Sequence, residues 1–297
     1  MKNVISHSWN QVIWYMSLNN GEKYYKKVPP IVNAFVHNAR QELYERWKNW
    51  KIDLSKPEQY EVIGGLLARQ VTLATQLALA PSIWNGHIAP LILRSMADNY
   101  ISLVWIFKDP EKRSIKFVEY GLGQEKLRIE YEKSELEKVT DKEKNKELKK
   151  VIEFREKWLE SQRFSFLTEV NVGAWSGKST REMAEDAGEK HFYDFVYTPF
   201  SAATHNMWHH LARYNLTHCN NPLHRYHRIP IDPDLEIDFD YLYNAAKYLD
   251  KAFRLFDEKT GVTIKTINAF DCLTEDFKKF NEANSNSIGE EEINSND

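Results

Sequence analysis

Acidic side chains are missing from one long stretch of this sequence. The chain of 297 residues carries 43 aspartates and glutamates and a net charge of -3, yet no acid lies between Phe195 and Ile231. An even spread would place about five acids there. The same stretch holds six of the ten histidines. Because no carboxylate of this stretch repels an anion, we expect the chemistry of the chain to lie here.

Cysteine, glycine and uninterrupted apolar sequence are also scarce. The two cysteines, Cys219 and Cys272, form no CxxC pair and no disulfide framework, which is typical of a reducing cytoplasm. None of the eleven glycines belongs to a lysine-containing phosphate-binding loop. The most apolar region, 63–107, is interrupted by charged side chains, and the N-terminus has no secretion pattern. We therefore expect a cytoplasmic protein that does not associate with membranes.

Helical periodicity dominates the rest of the chain, because apolar residues recur every three to four positions and alternating strand patterns are scarce. We predict an all-α fold, with a single multi-helix domain, a charged helical hairpin and a disordered acidic C-terminal tail. The predicted boundaries give an N-terminal helical segment over 1–56, a helical core domain over 57–260, a C-terminal segment over 261–280 and the tail over 281–297.

The hairpin is predicted over 124–163, a segment dense in lysine and glutamate. Its thin apolar seam consists of Leu127, Tyr131, Leu136, Leu148, Ile152 and Leu159. Thr140 and Glu143 have the spacing of a capping box, so we predict two antiparallel helices joined near Thr140. A solvated hairpin explains this pattern. An arm that binds a protein partner or a second copy of the chain is the alternative.

Arg94 and Asp98 lie one turn apart in the most apolar helix of the sequence. Such a helix is expected to be buried, where an unpaired guanidinium is costly in free energy. Arg94 must therefore have a partner. Two interpretations stay open, which are a buried structural salt bridge and a pair that lines a substrate pocket.

Ser201, His205 and His209 follow one another at spacings of four residues within one helix that we predict over 190–217. On a continuous helix their side chains project from nearly one face, and Tyr197 extends the row by one turn. We predict that this face joins the Arg94 pair in a polar pocket. The alternative is that these groups satisfy one another inside a helical core.

Histidines at ligand spacing also raise the alternative of a metal site. His205 with His209 or His210 would need a third ligand, from Asp98 or His191, to bind zinc or divalent iron. No HExxH motif and no carboxylate cluster accompanies them. We therefore predict no metal ion and no cofactor, and we keep a histidine-based metal-dependent hydrolase as an alternative function.

These candidate residues together resemble the pattern of an uncharacterised bacterial all-helical family of unknown function, over roughly residues 60–260. The pattern consists of Arg94, Asp98, a loop with Trp175, Ser176 and Gly177, and then Tyr193, Tyr197, Ser201 and His205. The resemblance implies a helical fold and a bacterial source. It also implies pocket roles for Arg94, Ser201 and His205, but it brings no biochemical activity.

A second resemblance lies in the segment from Arg213 to His218, whose Arg-x4-His form is similar to the motif of HEPN ribonucleases. Those all-α proteins, often toxins or antiviral effectors, cut RNA without metal at a site built across a dimer. The resemblance implies that Arg213 and His218 are catalytic. Residues five apart diverge on a helix, so both can serve one site only if the helix ends between them. The alternative is that His218 caps the helix C-terminus.

From these observations the sequence predicts HEPN-like, metal-independent RNA cleavage in a bacterial toxin or phage-defence setting, with RNA as the partner and a homodimer as the assembly. A non-catalytic sensor or partner-binding helical protein is the alternative. The two differ in whether Arg213 and His218 lie at the surface, since a ribonuclease site must be accessible to its substrate.

Overall fold

The computed structural model describes the backbone of residues 21–162 and 173–294, and the side chains of 28–162, 173–280 and 282. The described residues form helices and one two-stranded antiparallel sheet, so the predicted all-α class is confirmed. Among these helices, none combines the length and the apolar character that a membrane crossing requires.

The described part of the chain before residue 163 contains five long helices. They are α1 (Gly21–Asn49), α2 (Pro57–Ala78), α3 (Ala89–Ile106), α4 (Pro110–Leu136) and α5 (Lys142–Glu160). A short 3₁₀ turn over Pro81–Ile83 separates α2 from α3. Pro57 and Pro110 each begin a helix, where the missing proline N–H leaves no hydrogen bond unmade. The boundaries of α2 to α5 agree with the periodicity of the sequence to within a few residues, whereas α1 begins about ten residues earlier than that periodicity predicts.

In the described residues after 172, a series of short elements precedes two long helices. They are α6 (Thr180–Ala187), α7 (Lys190–Phe192), a π-helical turn (Tyr193–Tyr197), α8 (Thr198–Thr204), α9 (Trp208–Tyr214), β1 (Leu216–His218), β2 (Arg228–Pro230), α10 (Asp240–Thr260) and α11 (Ala269–Asn294). The prediction of one helix over 190–217 is therefore wrong. Pro199 has no N–H to continue a regular ladder, and Asn206 adopts a left-handed φ of 50°, which ends α8.

The chain divides into two compact units. The first comprises Met1–Lys51, Leu66–Ile101 and His191–Asp297, and the second comprises Ile52–Gly65 and Ser102–Lys190. The candidate residues at Arg94 and in the acid-free stretch all belong to the first unit. The boundaries predicted from sequence at residues 56, 260 and 280 stay predictions.

The first unit has a large apolar core in which α11 packs against α1 and α10. Its fully buried side chains include Phe35, Leu77, Trp84, Leu93, Met96, Phe253, Phe256 and Phe277. A buried ion cluster lies beside this core. Arg46 donates to Glu42 at 2.8 Å and to Asp257 at 2.7 Å, and Glu42 accepts from the N–H of Ala269 at 2.6 Å. This cluster links α1, α10 and the first residue of α11.

Burial raises the pKa of Glu42, and the hydrogen bond from Ala269 and the charge of Arg46 oppose that shift. The guanidinium of Arg46 also stacks over Phe253, 4.0 Å from the ring centroid. A buried charge is tolerated only where partners satisfy it on several sides. Glu42 and Arg46 therefore hold the ends of three helices in one arrangement.

The second unit contains the charged hairpin, and the sequence places it correctly. Helices α4 and α5 pack on a small core of Leu122, Ile129, Ile152 and Leu159. The predicted capping box is displaced by one residue, because Asp141 is the N-cap and accepts from the N–H groups of Glu143 and Lys144. Two predicted seam residues also differ, since Tyr131 is exposed and Leu127 is half-buried.

The acidic tail predicted over 281–297 is described only in part. Helix α11 carries the described backbone to Asn294, but of the side chains beyond Phe280 only that of Glu282 is described. The disorder of this tail stays a prediction.

Candidate functional site

Arg94 lies at the centre of a polar cluster in the first unit. Its Nε donates to the Oγ of Ser201 at 2.8 Å, and its Nη1 donates to Asp98. The ring of Tyr197 covers the guanidinium, with its centroid 3.1 Å from Cζ. Ser201 in turn donates to the carbonyl oxygen of Tyr197 at 2.9 Å. The structure therefore brings together four of the six predicted pocket residues.

The π-helical turn positions Tyr197 and Ser201. Such a turn is a one-residue excess in the helical ladder, and here it directly precedes Pro199, which cannot donate a backbone hydrogen bond. Tyr193, at the start of the turn, stacks on Tyr197 with ring centroids 4.7 Å apart. The two stacked rings close one side of the Arg94 guanidinium.

His205 and His209 lie outside this cluster. His205 is the C-cap of α8, His209 belongs to α9, and both side chains are exposed. The break at Asn206 separates His209 from the helix that carries Ser201, and His205 is the last residue before that break. The cluster thus connects α3 to the segment 193–204 through hydrogen bonds, and the half-exposed carboxylate of Asp98 lies on its solvent-exposed side.

The loop of Trp175, Ser176 and Gly177 belongs to the second unit and has a structural role there. Trp175 packs edge-on against Trp105 and Phe117. Ser176 is buried, and its Oγ donates to the carbonyl oxygen of Lys178 at 2.8 Å. Gly177 has a φ of 72°, a left-handed conformation that favours glycine.

Helix α9 is anchored through Tyr214. Gly86 is buried against the Tyr214 ring so closely that a Cβ at this position would overlap it. Tyr214 also packs against the rings of His87 and His210 and shares a hydrogen bond with Tyr241. These contacts fix the end of α9, from which β1 begins two residues later.

Two groups around this anchor have shifted pKa values. Burial, helped by the nearby His87 and His209, lowers the pKa of His210. Burial also raises the pKa of Tyr241, with Tyr214 contributing in the same direction. Both shifts favour the neutral forms, so His210 and Tyr241 are uncharged at neutral pH.

Strands β1 and β2 form a short antiparallel hairpin in the middle of the acid-free stretch. The pairs are Leu216 with Pro230, Thr217 with Ile229 and His218 with Arg228. Residues directly opposite each other in such a ladder have side chains on the same face. Arg228 is therefore the cation that the fold places beside His218.

The helix does end between Arg213 and His218, as a shared site requires. Arg213 is exposed in the last turn of α9, Asn215 is the C-cap, and His218 is exposed in β1. The interpretation of His218 as a helix cap is wrong, because the capping position lies three residues before it. Both predicted catalytic residues are accessible, but only His218 faces the groove described next.

A groove of about 470 Å³ runs along the hairpin. Its walls are formed by Trp208, Leu216, His218, Tyr226, His227 and Arg228, and we call it the hairpin groove. Trp208 and Tyr226 are 68% and 83% exposed, which is unusual for such large rings. The guanidinium of Arg225 also lies 5.6 Å from the Tyr226 ring centroid. The acid-free stretch thus folds into an accessible surface of aromatic, imidazole and guanidinium groups.

Ligand-type side chains meet at the tip of the same hairpin. Within the part of the chain that the structure describes, Cys219, His224 and His227 form a group whose donor atoms all lie within 4.8 Å of one another. The predicted ligands His205 and His209 do not belong to it. Neither this group nor Trp208, Tyr226 and Arg228 was predicted from sequence to be functional, although all of these residues lie in the acid-free stretch.

Comparison with known proteins gives a family match for this chain. No curated protein and no solved structure matches the chain. Residues 60–222 match the family described as "Family of unknown function (DUF5677)". The match covers more than half of the 297 residues and contains the Arg94 cluster together with Arg213 and His218. The resemblance to an uncharacterised family is thus confirmed, and the chain belongs to the family of unknown function DUF5677.

Proposed function

We propose that this chain binds single-stranded RNA in the hairpin groove and cleaves it beside His218, without a catalytic metal ion. One observation carries the proposal. The groove combines two exposed aromatic rings, Trp208 and Tyr226, with His218 and Arg228 on a segment that contains no acid.

Each component of the groove suits a single strand of RNA. Unstacked bases stack on exposed aromatic rings, and each such contact contributes about 1 to 3 kcal/mol of binding free energy. Arg228 is placed to contact a phosphate with charge-assisted hydrogen bonds. The acid-free stretch carries Arg213, Arg225 and Arg228, so it offers phosphates a local excess of positive charge although the net charge of the whole chain is -3.

The proposed reaction uses the RNA 2′-hydroxyl as the nucleophile. His218 accepts the 2′-hydroxyl proton while that oxygen attacks the adjacent phosphorus, and the bond from phosphorus to the 5′-oxygen breaks. The leaving oxygen takes a proton from solvent or from the imidazolium. Arg228 stabilises the charge that builds on the phosphoryl oxygens. The products are a 2′,3′-cyclic phosphate and a 5′-hydroxyl.

The resemblance to HEPN ribonucleases supports the same reaction class. Arg213 lies outside the walls of the hairpin groove, so we assign it to a neighbouring phosphate rather than to the reacting one. The resemblance also implies a homodimer, in which case cleavage per chain rises with protein concentration. In a toxin or phage-defence setting, expression of the wild type slows bacterial growth and expression of His218→Ala does not.

The catalytic part of the proposal is tested with His218→Ala on a labelled single-stranded RNA. Loss of a general base lowers the cleavage rate by about 100-fold or more. His209→Ala is the matched control, because it removes another exposed histidine of the acid-free stretch. Equal cleavage by His218→Ala and the wild type would overturn the assignment, provided that both variants melt at the wild-type temperature.

The binding part is tested by fluorescence anisotropy with Trp208→Ala and Tyr226→Ala. A stacking contact of about 1 to 3 kcal/mol corresponds to about 5- to 150-fold in affinity. Tyr131→Ala, which removes an equally exposed ring of the charged hairpin, leaves the affinity unchanged. Wild-type affinity in both groove variants would show that RNA does not occupy the groove.

A partner-binding role of the charged hairpin is the second candidate function. Val151, Phe154 and Trp158 recur along α5 at helical spacing and are 44%, 73% and 46% exposed. An exposed apolar row of this kind is typical of a protein interaction site. Phe154→Lys tests it by sedimentation, since the charge should abolish any self-association through this row, and an unchanged oligomeric state would exclude that interface.

A further inference from the structure

We propose that Cys219, His224 and His227 bind one zinc-type transition metal ion at the tip of the hairpin. This site goes beyond the proposed function, because RNA binding and 2′-hydroxyl attack require neither the thiol nor His224. It also differs from the metal site considered at His205 and His209, which the fold holds apart from this group.

The distances match those of a tetrahedral ion. The Sγ of Cys219 lies 3.7 Å from Nδ1 of His224, and the rings of His224 and His227 have centroids 5.4 Å apart. A zinc ion about 2.3 Å from sulfur and about 2.05 Å from nitrogen holds those donors about 3.6 Å apart. Small side-chain rotations therefore suffice to bring all three donors to one ion.

The backbone of the hairpin keeps the three ligands together. The N–H of Cys219 donates to the carbonyl oxygen of His227 at 3.0 Å, which places these two residues opposite each other just beyond the β1–β2 pairs. His224 donates to the Asn221 carbonyl oxygen at 3.0 Å and accepts from His227 at 2.9 Å, so the turn folds back toward Cys219. The turn between the strands thus brings the three residues of the Cys-x4-His-x2-His sequence close together.

The types of donor specify the class of metal. A thiolate and two imidazoles prefer zinc and related transition ions, whereas magnesium and calcium need oxygen ligands. No carboxylate belongs to this described group. The two histidines are exposed, which gives an ion in solution a direct path to the site.

A metal ion here would have a structural consequence for the groove. The two-stranded ribbon is short and its loop is exposed, so few apolar contacts of the described residues hold the loop in place. His227 is both a ligand and a wall of the hairpin groove. The ion would fix the loop and place a positive charge at the edge of the groove. Three protein ligands leave the fourth tetrahedral position to water or to an anionic ligand.

The experiment is a titration of the full chain with cobalt(II), which reports a thiolate ligand through an intense sulfur-to-metal absorption band. We expect one equivalent to bind, the band to appear, and zinc to displace cobalt. Cys219→Ser abolishes the band, while Cys272→Ser, which removes the other cysteine, retains it. His224→Ala and His227→Ala weaken binding by at least about 10-fold, and His209→Ala leaves it unchanged.

Several results would overturn the proposal. They are the absence of a thiolate band in the wild type, a band that survives in Cys219→Ser, and a band that disappears in Cys272→Ser. The first result would mean that Cys219 and His224 share only a hydrogen bond. Because the spectrum is recorded without RNA, the metal site stands or falls independently of the proposed ribonuclease activity.

Discussion

Asp98→Ala would remove the carboxylate that pairs with Arg94 and leave the other two contacts of the guanidinium in place. Breaking a fully buried pair costs about 3 to 5 kcal/mol, and an exposed pair contributes at most about 1 kcal/mol. The Asp98 side chain is 46% exposed, and that of Arg94 is 11% exposed. Water can thus reach the vacated position, while Ser201 and Tyr197 still hold Arg94. We expect a loss of about 1 to 2 kcal/mol in the free energy of unfolding.

Thermal unfolding measures this loss. For a chain of this size, 1 kcal/mol shifts the melting temperature by about 2 to 4 °C, so Asp98→Ala should melt about 2 to 8 °C below the wild type. Asp234→Ala, which removes an exposed carboxylate from a loop, should stay within about 1 °C. A wild-type melting temperature for Asp98→Ala would refute the reasoning that Arg94 depends on this carboxylate. A fall beyond about 10 °C would mean that water does not reach Arg94 in the variant.

Three further predictions concern the first unit. Glu42→Ala should lower the free energy of unfolding by about 3 to 5 kcal/mol, because it leaves the buried Arg46 with one carboxylate fewer. A denaturant titration measures this loss. A loss under about 1 kcal/mol would contradict the conclusion that Glu42 and Arg46 form a buried ion pair. Gly86→Ala should cost about 1 to 3 kcal/mol, because its methyl group overlaps the Tyr214 ring, and an unchanged melting temperature would show that the ring can move aside. The lowered pKa of His210 means that the unfolded chain takes up this proton more readily, so stability falls as the pH drops below about 6.5. The melting temperature of His210→Phe should therefore decline less than that of the wild type between pH 7 and pH 5, and parallel declines would contradict the shift.

Most of the helical fold could be predicted because the signals are local. Apolar residues recur at helical spacing over Pro57–Ala78 and Ala89–Ile106. With the prolines at helix starts, this spacing marks the helices within a few residues.

The seam of the charged hairpin was harder to predict. Tyr131 is apolar enough to suggest burial, but the helix rotation that buries Leu122 and Ile129 leaves it in solvent. That rotation depends on the packing of two helices and has no local signal.

The candidate site was predicted in part. The spacing of Arg94 and Asp98 gives their contact directly, and Tyr197 and Ser201 join them because residues four apart lie on one side of a helix. His205 stays outside the cluster as the exposed C-cap of α8, and the left-handed conformation of Asn206 ends that helix before His209. The helical spacing of residues 190–217 therefore predicted one continuous helix, although the helix ends before Trp208.

The hairpin groove could not be assembled from sequence alone. Its wall residues come from α9, β1, β2 and the turn between the strands, and strands of three residues give weak strand signals. Cys219, His224 and His227 were likewise each visible, but only the turn between the strands shows that their donor atoms meet. The missing acids mark the stretch that contains these residues, and the geometry within it depends on the pairing of the two strands.

The measurement that tests the central claim most directly uses one RNA substrate and its 2′-deoxy analogue. The cleavage position is mapped on a labelled single strand, and a second strand is made that lacks only the 2′-hydroxyl at that position. We predict a 2′,3′-cyclic phosphate and a 5′-hydroxyl at the cut of the first strand, and binding without cleavage at that position of the second. Cleavage of the deoxy strand at the same position and rate would contradict the account, because the nucleophile would then not be the RNA 2′-hydroxyl.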